Sequence, residues 1–264
     1  NPSNPTLTGN YDTPGYAHSV TVNGNYAYVA DVYEGLQIID ISNLSNPTLI
    51  GNSPGDAWGV TVNGNYAYVA DWNLGLQIID ISNPSNPTLI GNYNTSGYAH
   101  SVTVNGNYAY VTDGNYGLQI IDISNPSNPT LTGNYDTPGD AWAVIVNGNY
   151  AYVADWNLGL QIIDISNPSN PTLAGNYITL ASARDVAING DYAYVADDNY
   201  GLQIIDISNP SNPTLIGNYD TPGEARGVTV NGNYAYVADD NYGLQIIDVS
   251  FGCILDSLIL SIYI

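Results

Sequence analysis

Three features of the 264-residue sequence predict an all-β, six-bladed β-propeller with four antiparallel strands per blade. One unit of about 42 residues recurs six times, each unit offers four short strand-like runs, and no segment carries a 3.6-residue apolar period. Asn-Pro-Ser-Asn-Pro opens the unit at Asn1, Asn83, Asn125, Asn167 and Asn209, and a variant with Leu44 opens it at Asn43. Each unit closes on Leu-Gln-Ile-Ile-Asp, so the repeats occupy residues 1–42, 43–82, 83–124, 125–166, 167–208 and 209–250 as one domain. Residues 251–264 follow as a tail rich in Leu and Ile.

In the first unit the strands, from the hub outward, are predicted at residues 17–22, 26–31, 36–42 and 47–52. Asn23-Gly24 between the first two runs is a strong hairpin signal, and a type I′ turn with positive φ at both central residues is expected there. The Pro-rich loop ends the third strand, because Pro cannot donate to a ladder and holds its predecessor extended. Near-continuous Tyr-Val-Ala and Ile-Ile runs fit strands packed on both faces by neighbouring blades. Residues 5–11 repeat the outermost strand without a blade of their own, and the last unit lacks one. The N-terminal strand is therefore expected to pair with residues 244–249, completing the last blade and closing the ring.

The run Gly-Leu-Gln-Ile-Ile-Asp-Ile-Ser-Asn-Pro, followed by Ala-x-x-Val-x-Val-x-Gly-x-Tyr-Ala-Tyr-Val-Ala-Asp, resembles the LVIVD-repeat proteins across residues 1–250. That resemblance implies a β-propeller found mostly in exported or surface-attached proteins of bacteria and archaea. It implies no defined reaction and carries no catalytic residue to this chain.

The copies differ from one another mainly in two loops that alternating strand direction places on one face of the disc. The residue after the Ala that opens the innermost strand is His18, Trp58, His100, Trp142, Arg184 and Arg226 in turn, which gathers every His and every Arg at one register. The second loop adds Trp72 and Trp156, with Tyr33, Tyr116, Tyr200 and Tyr242 in the other units. A crown of aromatic and hydrogen-bonding groups is expected round the channel mouth. Such rings stack on sugar C–H faces or peptide side chains, and the arginines could clamp a carboxylate or sulfate. A structural role competes with this: an Asp ends each second strand, from Asp31 to Asp239, and a His–Asp pair can simply tie strand to turn.

Composition narrows the partners. With 24 acidic residues, two arginines and a formal charge of −22, nucleic acid is excluded on electrostatic grounds and anionic membrane surfaces are disfavoured. No apolar run is long enough for a membrane span. The single cysteine, Cys253, removes Cys-rich zinc sites and internal disulfides. No cofactor is expected. Asp197-Asp198-Asn199 and Asp239-Asp240-Asn241 offer oxygen ligands for Ca²⁺, but without the spacing or bidentate Glu of an EF-hand, and with Arg184 and Arg226 nearby. His18-Ser19 with Asp31 and His100-Ser101 with Asp113 supply hydrolase residue types, yet adjacent strand residues face opposite ways.

The sequence thus points to a monomeric, non-enzymatic binding propeller, extracellular or at the cell surface, with a glycan, protein or peptide ligand at the channel mouth. The alternatives are the recognition domain of a larger intracellular sensor and, less favoured, a propeller hydrolase.

Overall fold

The structure is a computed structural model and describes residues 5–250. Six antiparallel sheets follow one another round a central channel, each a meander whose first strand is innermost. Blade 1 holds β1 (Tyr16–Asn23), β2 (Tyr26–Val32), β3 (Gly35–Asp40) and β4 (Thr48–Ser53). Blade 2 holds β5 (Ala57–Asn63), β6 (Tyr66–Asp71), β7 (Gly75–Asp80) and β8 (Thr88–Tyr93). Blade 3 holds β9 (Ser101–Asn105), β10 (Tyr108–Thr112), β11 (Leu118–Asp122) and β12 (Thr130–Tyr135). Blade 4 holds β13 (Ala143–Asn147), β14 (Tyr150–Ala154), β15 (Leu160–Asp164) and β16 (Thr172–Tyr177). Blade 5 holds β17 (Ala183–Asn189), β18 (Tyr192–Asp197), β19 (Leu202–Asp206) and β20 (Thr214–Tyr219). Blade 6 holds β21 (Ala225–Asn231), β22 (Tyr234–Asp239) and β23 (Gly243–Asp248), with one 3₁₀ turn at Asp240–Tyr242. The predicted strands of the first unit fall within two residues of β1 to β4 at every boundary.

The inner hairpin differs from its expected form. Asn23 pairs with Tyr26, so the two central residues are Gly24 and Asn25, and of these only Gly24 has positive φ, at 60°. That is the type II′ pattern, with Gly first, and not type I′. A Cβ on Gly24 would meet nothing within 4 Å, so backbone conformation alone demands the glycine.

Blades adhere through repeated apolar borders. Between blades 1 and 2, Tyr28, Ala30, Leu36 and Ile38 of one face meet Ala57, Val60, Val69 and Ile79 of the next. The same residue types recur at the four following borders. Both faces of a middle blade are therefore covered, which is why β10 and β11 are buried almost throughout.

Blade 6 departs from this pattern. Its sheet has three strands, and among the described residues nothing pairs with the outer side of β23. Residues 5–13 carry no ladder, so the expected closure of the ring, with residues 5–11 as the fourth strand on residues 244–249, is not formed in this structure. The physical reason lies in which neighbour the segment keeps. A Cβ on Gly9 would strike the Leu44 carbonyl of blade 1, just as one on Gly51 would strike that of Pro84 in blade 2. The segment thus holds an outer strand's place against blade 1, while Val20 and Val22 of blade 1 and Leu244 of blade 6 are 62%, 61% and 57% exposed, against 1% for Leu36. The tail, residues 251–264, lies outside the described residues.

Candidate ligand-binding site in the channel mouth

All six variable residues sit at one structural register, and in four blades that register is a β-bulge. The ladder pairs Ala17 with Asp31 and Ser19 with Ala30, skipping His18, and it skips Trp58, Arg184 and Arg226 in the same way. A bulged residue is relieved of strict alternation, so its side chain can be aimed into the channel. His100 and Trp142 stand just ahead of β9 and β13, their N–H groups bonded to Thr112 and Ala154 carbonyls at 3.0 and 2.8 Å. The six side chains converge on one cavity of about 610 Å³.

In blades 2, 4 and 5 the second loop supplies the partner of this residue. The residue following the Asp that ends the second strand is Val32, Trp72, Gly114, Trp156, Asp198 and Asp240 in turn. Trp58 stacks on Trp72 with centroids 4.3 Å apart, and Trp142 lies 4.8 Å from Trp156. At the equivalent pair in blade 5, Arg184 bonds Asp198 at 3.3 Å. Aromatic pairs with aromatic, and basic with acidic. The expected tyrosines do not join this crown, because Tyr33, Tyr116, Tyr200 and Tyr242 occupy later positions in the loop and are 46–72% exposed.

Neighbouring blades are stitched at the same level. Ala99, Ala141, Ala183 and Ala225 donate their N–H to the carbonyls of Trp72, Gly114, Trp156 and Asp198 of the preceding blade. Stitching extends the stacks from blade to blade. His18, Trp58, Trp72 and Tyr98 form one column, with ring centroids 4.3–4.6 Å apart. His100, Trp142, Trp156 and Arg184 form its homologue, in which the guanidinium lies 3.9 Å from the Trp156 ring and 4.7 Å from that of Trp142.

Electrostatics follow from this packing. Desolvation by the surrounding rings holds both imidazoles below their ordinary pKa, the buried His100 at about 4, so both are neutral at pH 7, although His18 keeps an exposed face. His18 Nδ1 makes a 2.9 Å hydrogen bond with the Trp58 carbonyl. Arg184 is held by Asp198, and Arg226 by Glu224, with Asp198 a further 4.0 Å away. Both cations are therefore compensated, and a clamp on an acidic ligand, expected from the sequence, is not left free.

Several residues of the site escape the sequence reading. Asp185 adjoins Arg184, and its carboxylate accepts the N–H groups of Val186 and, across the blade border, Val228, both at 2.8 Å. Desolvation pushes its pKa up to about 6. An acid two residues before the bulge grips the side chain beyond it, as Asp56 does the Trp58 indole at 3.3 Å and Glu224 does Arg226. The signal was present as Asp-Ala-Trp and Glu-Ala-Arg.

The series from Asp31 to Asp239 is structural, but its partner is not His. Asp155 accepts from Thr137 Oγ1 at 2.7 Å and from the Gly139 N–H at 3.0 Å, and Asp31 binds Thr13 and Gly15 likewise. These carboxylates pin the loop that enters the innermost strand. The hydrolase types do not assemble either: His18 is bonded to Trp58 and Asp31 to its loop. His18, skipped by the ladder, and Ser19 both border the cavity, as do His100, just ahead of β9, and Ser101. Among the described residues, no three His, Cys, Asp or Glu side chains are grouped so as to hold a metal ion.

Comparison with known proteins bears on the fold. No curated protein matches the chain. The computationally designed Ika8 protein is similar at 9% identity with a TM-score of 0.72, over 93% of this chain and 75% of that one. The β-propeller domain of Myceliophteria thermophila Cps50 (Swd1) is similar at 12% identity and 0.67, over 92% and 88%. A functionally unknown protein from Desulfotomaculum acetoxidans is similar at 15% identity and 0.75, over 91% and 84%. The LVIVD repeat matches at residues 1–13, 14–53, 54–95, 96–137, 138–179, 181–221 and 222–251, and its complete segments coincide with the blades of the structure. The chain belongs to the LVIVD repeat family.

Proposed function

We propose that this propeller works by binding, outside the cell or at its surface, with a glycan or peptide seated in the channel mouth. The observation that carries this is convergence: every residue of the divergent register from His18 to Arg226 lines the same cavity of about 610 Å³. A ligand there meets indole and neutral imidazole surface on one side and two compensated guanidiniums on the other. Acids in and behind the wall, namely Asp185, Asp198, Glu224 and Asp240, outnumber the arginines, so neutral or cationic ligands are favoured over acidic ones.

A perturbed carboxylate at the mouth is what a hydrolase would need, and Asp185, next to Arg184, is one. Both of its oxygens already hold backbone N–H groups, which suits a strut between blades better than a base. Binding is therefore preferred to catalysis.

Glycan and peptide arrays test the proposal, with Trp58→Ala and Trp142→Ala beside the exposed changes His18→Ala and Arg226→Ala. Loss of the captured ligand at two or more of these positions, with melting of the Arg226 variant unchanged, is the expected result. Retention of binding by all four would move the site away from the mouth, and silence on both arrays would count against the ligand classes.

A further inference from the structure

Two histidines occupy the same register in blades 1 and 3, and their surroundings differ in one hydrogen bond. Each imidazole lies against the indole of the next blade, His18 with its centroid 4.6 Å from that of Trp58 and His100 with its centroid 4.5 Å from that of Trp142. In blade 1 the backbone carbonyl of Trp58 meets His18 Nδ1 at 2.9 Å. A carbonyl only accepts, so neutral His18 carries its proton on Nδ1 and keeps a lone pair on Nε2.

In blade 3 the matching carbonyl, that of Trp142, accepts the Thr112 hydroxyl at 3.0 Å instead. Thr112 is the exception at its position, where the other blades carry Ala30, Ala70, Ala154, Ala196 and Ala238. Its oxygen also accepts the Ser101 N–H at 3.0 Å, which leaves the hydroxyl hydrogen for the carbonyl. His100 Nδ1 is consequently buried with no hydrogen-bond partner, in a residue only 4% exposed. A proton placed there would be a donor sealed away from any acceptor, the less tolerated kind of buried defect. On Nε2 the same proton can be met by whatever fills the cavity that both rings border.

We infer that Thr112 is a positioning residue for the mouth: by occupying the Trp142 carbonyl it sets the His100 proton on Nε2, so that a ligand meets one accepting imidazole, His18, and one donating imidazole, His100. This rests on the mouth being the binding site and narrows the ligand. A hydroxyl both donates and accepts, so the hydroxyls of a neutral sugar answer both rings while a C–H face is left for the indoles. A carboxylate has no proton for His18, and an ammonium has no lone pair for His100. The ligand class is therefore a neutral glycan.

The chain has two histidines, so long-range proton–nitrogen correlation spectra of nitrogen-labelled protein at neutral pH read both tautomers, with His18→Gln to assign them. Expected are Nδ1–H for His18 and Nε2–H for His100, and a change of His100 to Nδ1–H in Thr112→Ala. Five blades already use Ala at that position, so the fold accepts the change. Ala30→Thr makes the reciprocal exchange in blade 1 and should move the His18 proton to Nε2. One tautomer shared by both rings in the wild type, or a His100 that keeps Nε2–H in Thr112→Ala, overturns the role of Thr112. A neutral glycan captured on an array should bind Thr112→Ala about tenfold more weakly, and binding within about twofold of wild type overturns the part of Thr112 in recognition. Capture of peptides and no glycan overturns the ligand class. Silence on both arrays, with the tautomers as expected, overturns the ligand class together with the mouth as a site, while the link from Thr112 to His100 stands.

Discussion

The channel mouth has two halves built on one backbone. Blades 1 to 4 fill it with two His–Trp–Trp columns, whereas blades 5 and 6 place Arg184 and Arg226 among carboxylates at the same registers. In the aromatic half each ring is satisfied by another ring, so these side chains serve the packing as well as any ligand. In the charged half Arg226 remains 40% exposed, and small residues, Gly227 and Ala238, leave room. The contrast teaches that the same register can stabilise in one sector and stay accessible in another.

Removing the middle of a column should break that contrast most. Trp142→Ala loses ring faces shared with His100, Trp156 and Arg184, and about 3 kcal/mol of unfolding free energy should go with them, read from denaturant midpoints at unchanged m-value. Arg184→Met is next: it keeps some contact with the indoles but takes from Asp198 the nearer of its two cations in a mostly buried place, at a cost of roughly 2 kcal/mol.

Two variants sharpen the comparison through pH. His100 sits at about 4 in the folded state against an ordinary 6.5, so its share of stability is present above 6.5 and is lost as pH falls through about 4. Asp185 has the opposite sign. Its folded value of about 6 lies above the ordinary 3.8, so its share is present below 3.8 and is lost as pH rises through about 6. Stability curves from pH 4 to 6.5 should therefore be flatter at the acid end in His100→Gln than in the wild type, and should rise relative to wild type with pH in Asp185→Asn. Parallel curves for all three proteins would contradict this assignment. Arg226→Ala should matter least to stability, within about 0.5 kcal/mol, since its pair is solvent-exposed.

Much of this architecture was visible in the residues themselves. Asn-Pro-Ser-Asn-Pro and Leu-Gln-Ile-Ile-Asp set the phase of the blades, and the outlying register from His18 to Arg226 marked the channel wall. What stayed hidden depended on backbone detail or on neighbours. Gly24 is the first central residue of its turn, not the second, because the ladder extends to Asn23. Tyr116 was grouped with Trp72 although it stands two positions later, and only the stacking partner shows which register matters. Asp185 looks like any strand-edge acid until Val228 of the next blade is placed beside it. That β23 has no fourth strand beside it among the described residues is something no local pattern encodes.

The bulge at His18, Trp58, Arg184 and Arg226 has a consequence for how such a chain can change. A residue left out of the hydrogen-bonded pairing places no demand on the opposite strand, and imidazole, indole and guanidinium have all been accepted there without altering the sheet. Selection can therefore rewrite the lumen one substitution at a time while the scaffold that presents it stays constant.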